Sequence, residues 1–207
     1  TLLLYFRMLL TMAVTLYTSR VILNVLGIED FGIFNVVGGV IAMLGFLNGS
    51  LSGASSRFLT FELGKGENGN SKKIFSTILC IHFILAIVII IIGETIGLWF
   101  VHNKLVIPEN RMTAALWVYH SSILTAVISI ISVPYNSLII AREKMSAFAY
   151  ISIVEVSLKL FIVWILSLLS YDKLIVYAIL LLCVQLFIRM LYNRYCIKHF
   201  EESNTIP

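Results

Sequence analysis

Apolar residues fall along this 207-residue chain in six long runs, at about 2–26, 34–61, 74–101, 112–141, 148–170 and 174–195. Each reaches the roughly 20 residues that carry a helix across a hydrocarbon core of about 30 Å. Lipid offers no partner to an unpaired peptide group, so such runs form helices. The pattern predicts an all-α polytopic membrane protein with six transmembrane helices in one domain over 1–200, followed by a tail or linker at 201–207. The linkers at 27–33, 62–73, 102–111, 142–147 and 171–173 are too short for a folded soluble domain. Whatever this chain does, it does within a bilayer or at its faces.

The second run, GGVIAMLGFLNGSLSGASSRFLTFELGK, is threaded with small residues. Gly45, Gly49 and Gly53 repeat every four positions and share a helix face, which another helix can approach closely. That face is expected to be a packing seam or to border a cavity. Pro134, in VPYNS, is expected to kink the fourth run and to permit rocking.

Composition agrees with this reading. Only 13% of residues are charged, against about 25% in soluble domains, and the mean hydropathy is +0.97. No run resembles a cleavable signal peptide. The net charge of +4 does not point to nucleic acid, because the basic residues cluster at the ends of the apolar runs. Nine Lys and Arg fall on the side of linkers 62–73 and 142–147 and of the C-terminal end, and four on the other side. The positive-inside rule then predicts that both ends are cytoplasmic. Trp99, Trp117, Tyr150, Tyr192 and Tyr195 are expected as interfacial anchors. Cys80, Cys183 and Cys196, odd in number and widely spaced, are expected on helix surfaces without disulfide or metal roles. The chain starts at Thr1 inside an apolar run and is expected to be a fragment.

Ionisable residues inside spans mark candidate chemistry, because each is costly to insert. Arg7, Thr11, Thr15 and Thr18 fall within about 80° of one another on a helix, a polar stripe ending in a cation. Glu155 and Lys159 stand four apart in the middle of the fifth run and can pair. Lys159 is placed to bind an anionic group with Glu155 tuning it, or the two form a neutralised couple. Arg20 and Arg57 sit near span ends, where they snorkel or anchor or meet a lipid phosphate. His82, Glu94 and His120 show no spacing of a metal site or relay. No phosphate loop, nucleophile elbow or metalloprotease motif occurs. An enzyme, a cofactor and a metal site are not expected.

The stretches TSRVILNVLGIEDFGIFNVVGG, NGSLSGASSRFLTFELGKG and SVPYNSLIIAREKMSAFAYISIVEVSLKL resemble the amino-terminal half of bacterial polysaccharide biosynthesis flippases. Those proteins belong to the multidrug/oligosaccharidyl-lipid/polysaccharide superfamily. The resemblance implies one six-helix lobe of a two-lobe, alternating-access transporter in the bacterial inner membrane, with the second lobe missing. It also implies a cationic cavity for undecaprenyl-pyrophosphate-linked oligosaccharides, with Arg7, Arg20, Arg57 and Lys159 as candidates. The implied partners are that substrate, membrane lipid, the missing lobe, and a polysaccharide polymerase and glycosyltransferases. A cation-coupled exporter of the same superfamily and a non-transporting scaffold of glycan assembly are the alternatives. The exporter would favour an acid in the first run, and the first 28 residues hold none.

Overall fold

The computed structural model describes residues 2–42, 45–66, 69–169 and 171–204, and among them it is helical throughout with no strand. Helices α1 (Leu2–Ala42) and α2 (Gly45–Gly64) are followed by α3 (Ser71–Ile92). A π-helical turn, Gly93–Gly97, carries α3 into the short α4 (Leu98–Lys104). After a 3-10 turn at Glu109–Arg111 come α5 (Met112–Ala141), α6 (Met145–Leu168) and α7 (Lys173–His199), and a last 3-10 turn at Glu201–Asn204.

Among the described residues, five helical segments are long and apolar enough to cross a membrane: Leu4–Gly39, Ser71–Lys104, Glu109–Ala141, Met145–Leu168 and Lys173–His199. The six separate runs expected from the sequence differ from this at one place. The first linker, expected at 27–33, shrinks to Gly27, whose φ of 83° and ψ of 169° break α1 into two helical halves. Only glycine takes that backbone region readily. The rest of the expected second run is α2, which is not among the five because Asn, Ser, Gly, Arg and Glu dilute its apolar residues.

α5 is the central helix. Half of its apolar window is buried, against 17–28% for the other four segments. The halves of α1 flank it differently. Ile22, before the break, joins Ile151, Ile162 and Leu166 of α6 in one core cluster, whereas Ile33, Val37 and Ile41, after it, join Val118 and Ile130 of α5 in another. α3 meets α5 closely at the π turn. The Tyr119 hydroxyl donates to the Gly93 carbonyl at 2.6 Å, and a Cβ on Gly97 would collide with that hydroxyl.

Ion pairs tie the segments together at both ends of α5. Before it, Arg111 donates from Nε to Asp30 (2.8 Å) and from Nη1 to Asp172 (2.7 Å), joining three segments. After it, Arg142 pairs with Glu202, which also accepts from Ser71 at 3.3 Å. Positions 30, 111 and 172 therefore meet at one end of the bundle, and 71, 142 and 202 at the other.

Two expectations need correction. Cys196 is fully buried in the core rather than on a helix surface, its thiol directed at the Tyr135 carbonyl. Tyr192, expected as an anchor, is buried as well. Each points inward from α7 because the face bearing Val184, Ile188, Tyr192 and Cys196, at helical spacing, is the one packed into the bundle. Cys80 and Cys183 are exposed, and all three thiols are free.

Candidate functional site

The polar stripe of α1 and one face of α6, together with residues of α2, α5 and α7, line a cleft of about 730 Å³. On α1 the hydroxyls turn back on their own helix. Thr11 donates to the Arg7 carbonyl and Thr15 to the Thr11 carbonyl, each at 2.7 Å, and Thr18 donates to Val14. This local bonding is open to Thr in any helix, and it leaves the oxygen lone pairs as the groups a ligand meets. On α6, Ser152, Glu155 and Lys159 follow at helical spacing and all line the cleft.

Arg7 reaches across from α1 to α6. Its Nη1 donates to Ser152 Oγ at 3.3 Å, and its guanidinium lies 4.7 Å from the centre of the Phe148 ring. Lys159 Nζ lies 2.6 Å from Glu155 Oε1. Arg7, Glu155 and Lys159 are the ionisable Asp, Glu, Lys or Arg residues of this lining, so the cleft carries one net positive charge. Low-dielectric walls strengthen its pull on an anion.

A second chamber of about 390 Å³ opens beside the first, and the two share Phe34, Asn48, Ser129, Leu181 and Gln185. Both volumes fall within the roughly 300–1,000 Å³ of small-molecule sites. Buried polar atoms without a hydrogen-bond partner gather here. Arg7 Nε, Asn48 Oδ1 and Asn136 Oδ1 are three such atoms, and all belong to residues that line the larger cleft. Native interiors leave few such groups.

The structure brings Arg7, Glu155, Lys159 and Gly49 to one cleft and leaves Arg20, Arg57 and Gly53 outside it, exposed. Gly49 and Gly53 face open space, since a Cβ at either meets nothing within 4 Å. The contact of α2 with α5 runs instead through Asn48, which donates to Ser129 at 3.0 Å, and Ser52, whose carbonyl accepts from Ser137 at 3.3 Å. The surroundings of Gly45 lie outside the described residues. Pro134 is buried within α5, which continues as a helix through it, between the lining residues Val133 and Asn136.

Sequence reasoning does not single out Asn48, Asn136 or Gln185, and it assigns Tyr192 to a membrane interface rather than to this cleft. Gln185, an amide alone in the apolar run LLLCVQLFIR, carried a usable signal. Sequence reasoning also leaves Glu94 and His120 apart, but the structure pairs them at 3.1 Å between the π turn and α5. Among the described residues no cluster suited to a metal ion occurs. No family model, curated protein or solved structure matches this chain.

Proposed function

We propose that this chain is one six-crossing lobe of a two-lobe flippase that moves a lipid-linked, diphosphate-bearing oligosaccharide across the bacterial inner membrane by alternating access. The observation that carries the reading is the net-cationic cleft, lined by hydroxyls and amides, among helices apolar enough to cross a bilayer. Such a cleft suits a phosphate head bonded to a polyhydroxyl chain, while the lipid tail stays among the apolar faces. The sixth crossing is the stretch from Ile28 through α2, since Asp30 lies at one end of the bundle and Ser71 at the other. Both ends of the chain face the cytoplasm on this reading, where a polymerase and glycosyltransferases handle the same intermediate. The second wall of the cleft comes from the other lobe.

Glu155 favours the exporter as a second reading, because it puts an acid in the same cleft. Lys159 already neutralises that acid, so an anionic cargo comes first.

The test is complementation of a flippase-null strain by the open reading frame that encodes this chain, beside a Lys159→Gln version inserted at parental levels. Surface glycan restored by the parent, with lipid-linked intermediate accumulating in the variant, is the expected outcome. Equal restoration by both would remove Lys159 from the site.

A further inference from the structure

We infer that the smaller chamber is the saccharide subsite and that it accepts uncharged sugars; the inference rests on the lipid-linked saccharide reading above. The two chambers divide the chemistry. Every ionisable side chain of the two linings belongs to the larger one, Arg7, Glu155 and Lys159 among them. Among the described residues, the smaller chamber is lined by no Asp, Glu, Lys, Arg or His.

What the smaller chamber offers is the set of groups that bind sugar hydroxyls. Asn35, Asn48 and Gln185 supply amides, and Ser122, Thr125 and Ser129 supply hydroxyls. The Thr125 hydroxyl donates to the Ser121 carbonyl at 2.8 Å, so its oxygen is left to accept. Asn48 spends an N–H on Ser129 and keeps Oδ1 buried without a partner. A modest rotation of that amide toward a sugar O–H would satisfy it. Gly38 and Gly39 leave bare backbone on one wall, and the Phe34 ring at the junction supplies an apolar face, the second requirement of a pyranose, whose C–H groups lie on one side. A carboxylate in this chamber would lose its water and meet no cation in the lining, an uncompensated burial. A neutral sugar gives up only hydroxyl hydration, which the amides replace.

The subsite also has a fixed direction. Asn35 and Ser122 lie within about three helical turns of Asp30 and Arg111, so the sugar points toward the end of the bundle that Arg111 ties together.

The experiment compares two lipid-linked trisaccharides in a flippase-null strain, one wholly neutral and one with a hexuronic acid at its second sugar, both on polyprenyl diphosphate. The parent is expected to export the neutral unit at least tenfold faster. Asn35→Lys, at an exposed position of the lining, and Thr125→Lys would each bring that ratio below threefold by raising export of the acidic unit. Two variants at separate positions guard against one that fails to insert. Export of both units at similar rates by the parent, or an unchanged ratio in both inserted variants, would overturn the subsite while leaving the flippase reading in place. Export of neither unit, with no binding of either to the purified protein in lipid nanodiscs, would overturn that reading and the subsite with it.

Discussion

Two cations of this chain sit in ion pairs of opposite design. Arg111 is bound by Asp30 and Asp172, which lie 81 and 61 residues away, and it joins three segments at one end of the bundle. Lys159 is bound by Glu155, one turn back on its own helix, and joins nothing else. Breaking the Arg111 cluster loosens the bundle, whereas opening the Lys159 pair moves only side chains. A cation that holds helices together is not free to receive a ligand. One paired locally, beside an Arg7 that donates to the Ser152 hydroxyl, can exchange its carboxylate for a phosphate at little structural cost.

The largest effect expected from this contrast is on transport. Arg7→Gln with Lys159→Gln removes both cations from the cleft and leaves Glu155 as an uncompensated acid. Export of the lipid-linked intermediate should fall at least 100-fold, about 2.7 kcal/mol, while unfolding temperature in detergent stays near the parent's. If the double variant instead unfolds early and transports normally once inserted, the two pairs have exchanged roles.

Arg111→Ala comes next, and its effect should appear in stability. The substitution leaves two carboxylates facing each other with no cation. Hydrogen bonds to charged groups contribute roughly 1.5–3 kcal/mol each, and partial solvent exposure reduces this, so a loss of about 2 kcal/mol is expected. Chemical or thermal unfolding in detergent would measure it. A smaller effect of pH follows from the same cluster. Burial pushes the Asp172 carboxyl up, but its hydrogen bond and charge interaction with Arg111 outweigh burial and hold it below its ordinary value of 3.8. A depressed carboxyl stabilises the fold above its unfolded value and loses that contribution as pH falls through the folded one. Stability should therefore be level above about pH 5 and decline below about pH 4. The decline should shrink in Arg111→Ala, and an unchanged acid limb there would place its origin elsewhere.

The contrast also shows what could be read from the chain. Arg7, Glu155 and Lys159 stood out because ionisable groups inside apolar runs need a reason to be there, and the structure puts all three on one cleft. Asn48, Asn136 and Gln185 carry no charge, raise no such alarm, and were passed over. The Arg111 cluster is invisible in the sequence because nothing local links residues so far apart, and of its members Arg111 alone enters, as one of the basic residues that set the orientation. Periodicity put Gly49 and Gly53 on a common face, but it does not say which neighbour that face meets. Here α5 packs against the Asn48 and Ser52 side, and the glycines are left open. Gly27 was assigned to a linker, yet a single residue in a glycine-favouring conformation makes the break.

The smallest expected effects test the boundary of the site. Arg20 and Arg57 carry the same charge as Arg7 and Lys159 and resemble them in sequence, but both are exposed and neither lines the cleft. If charge alone drew the substrate, all four would matter alike. If the cleft does, position decides. Surface substitutions usually change stability by less than about 0.5 kcal/mol. Arg20→Gln and Arg57→Gln should therefore leave export within about twofold of the parent and unfolding within that margin. A tenfold loss in either, at normal membrane levels, would mean that the substrate meets these cations in a conformation other than this one, with the cleft extending to a helix face that is open here.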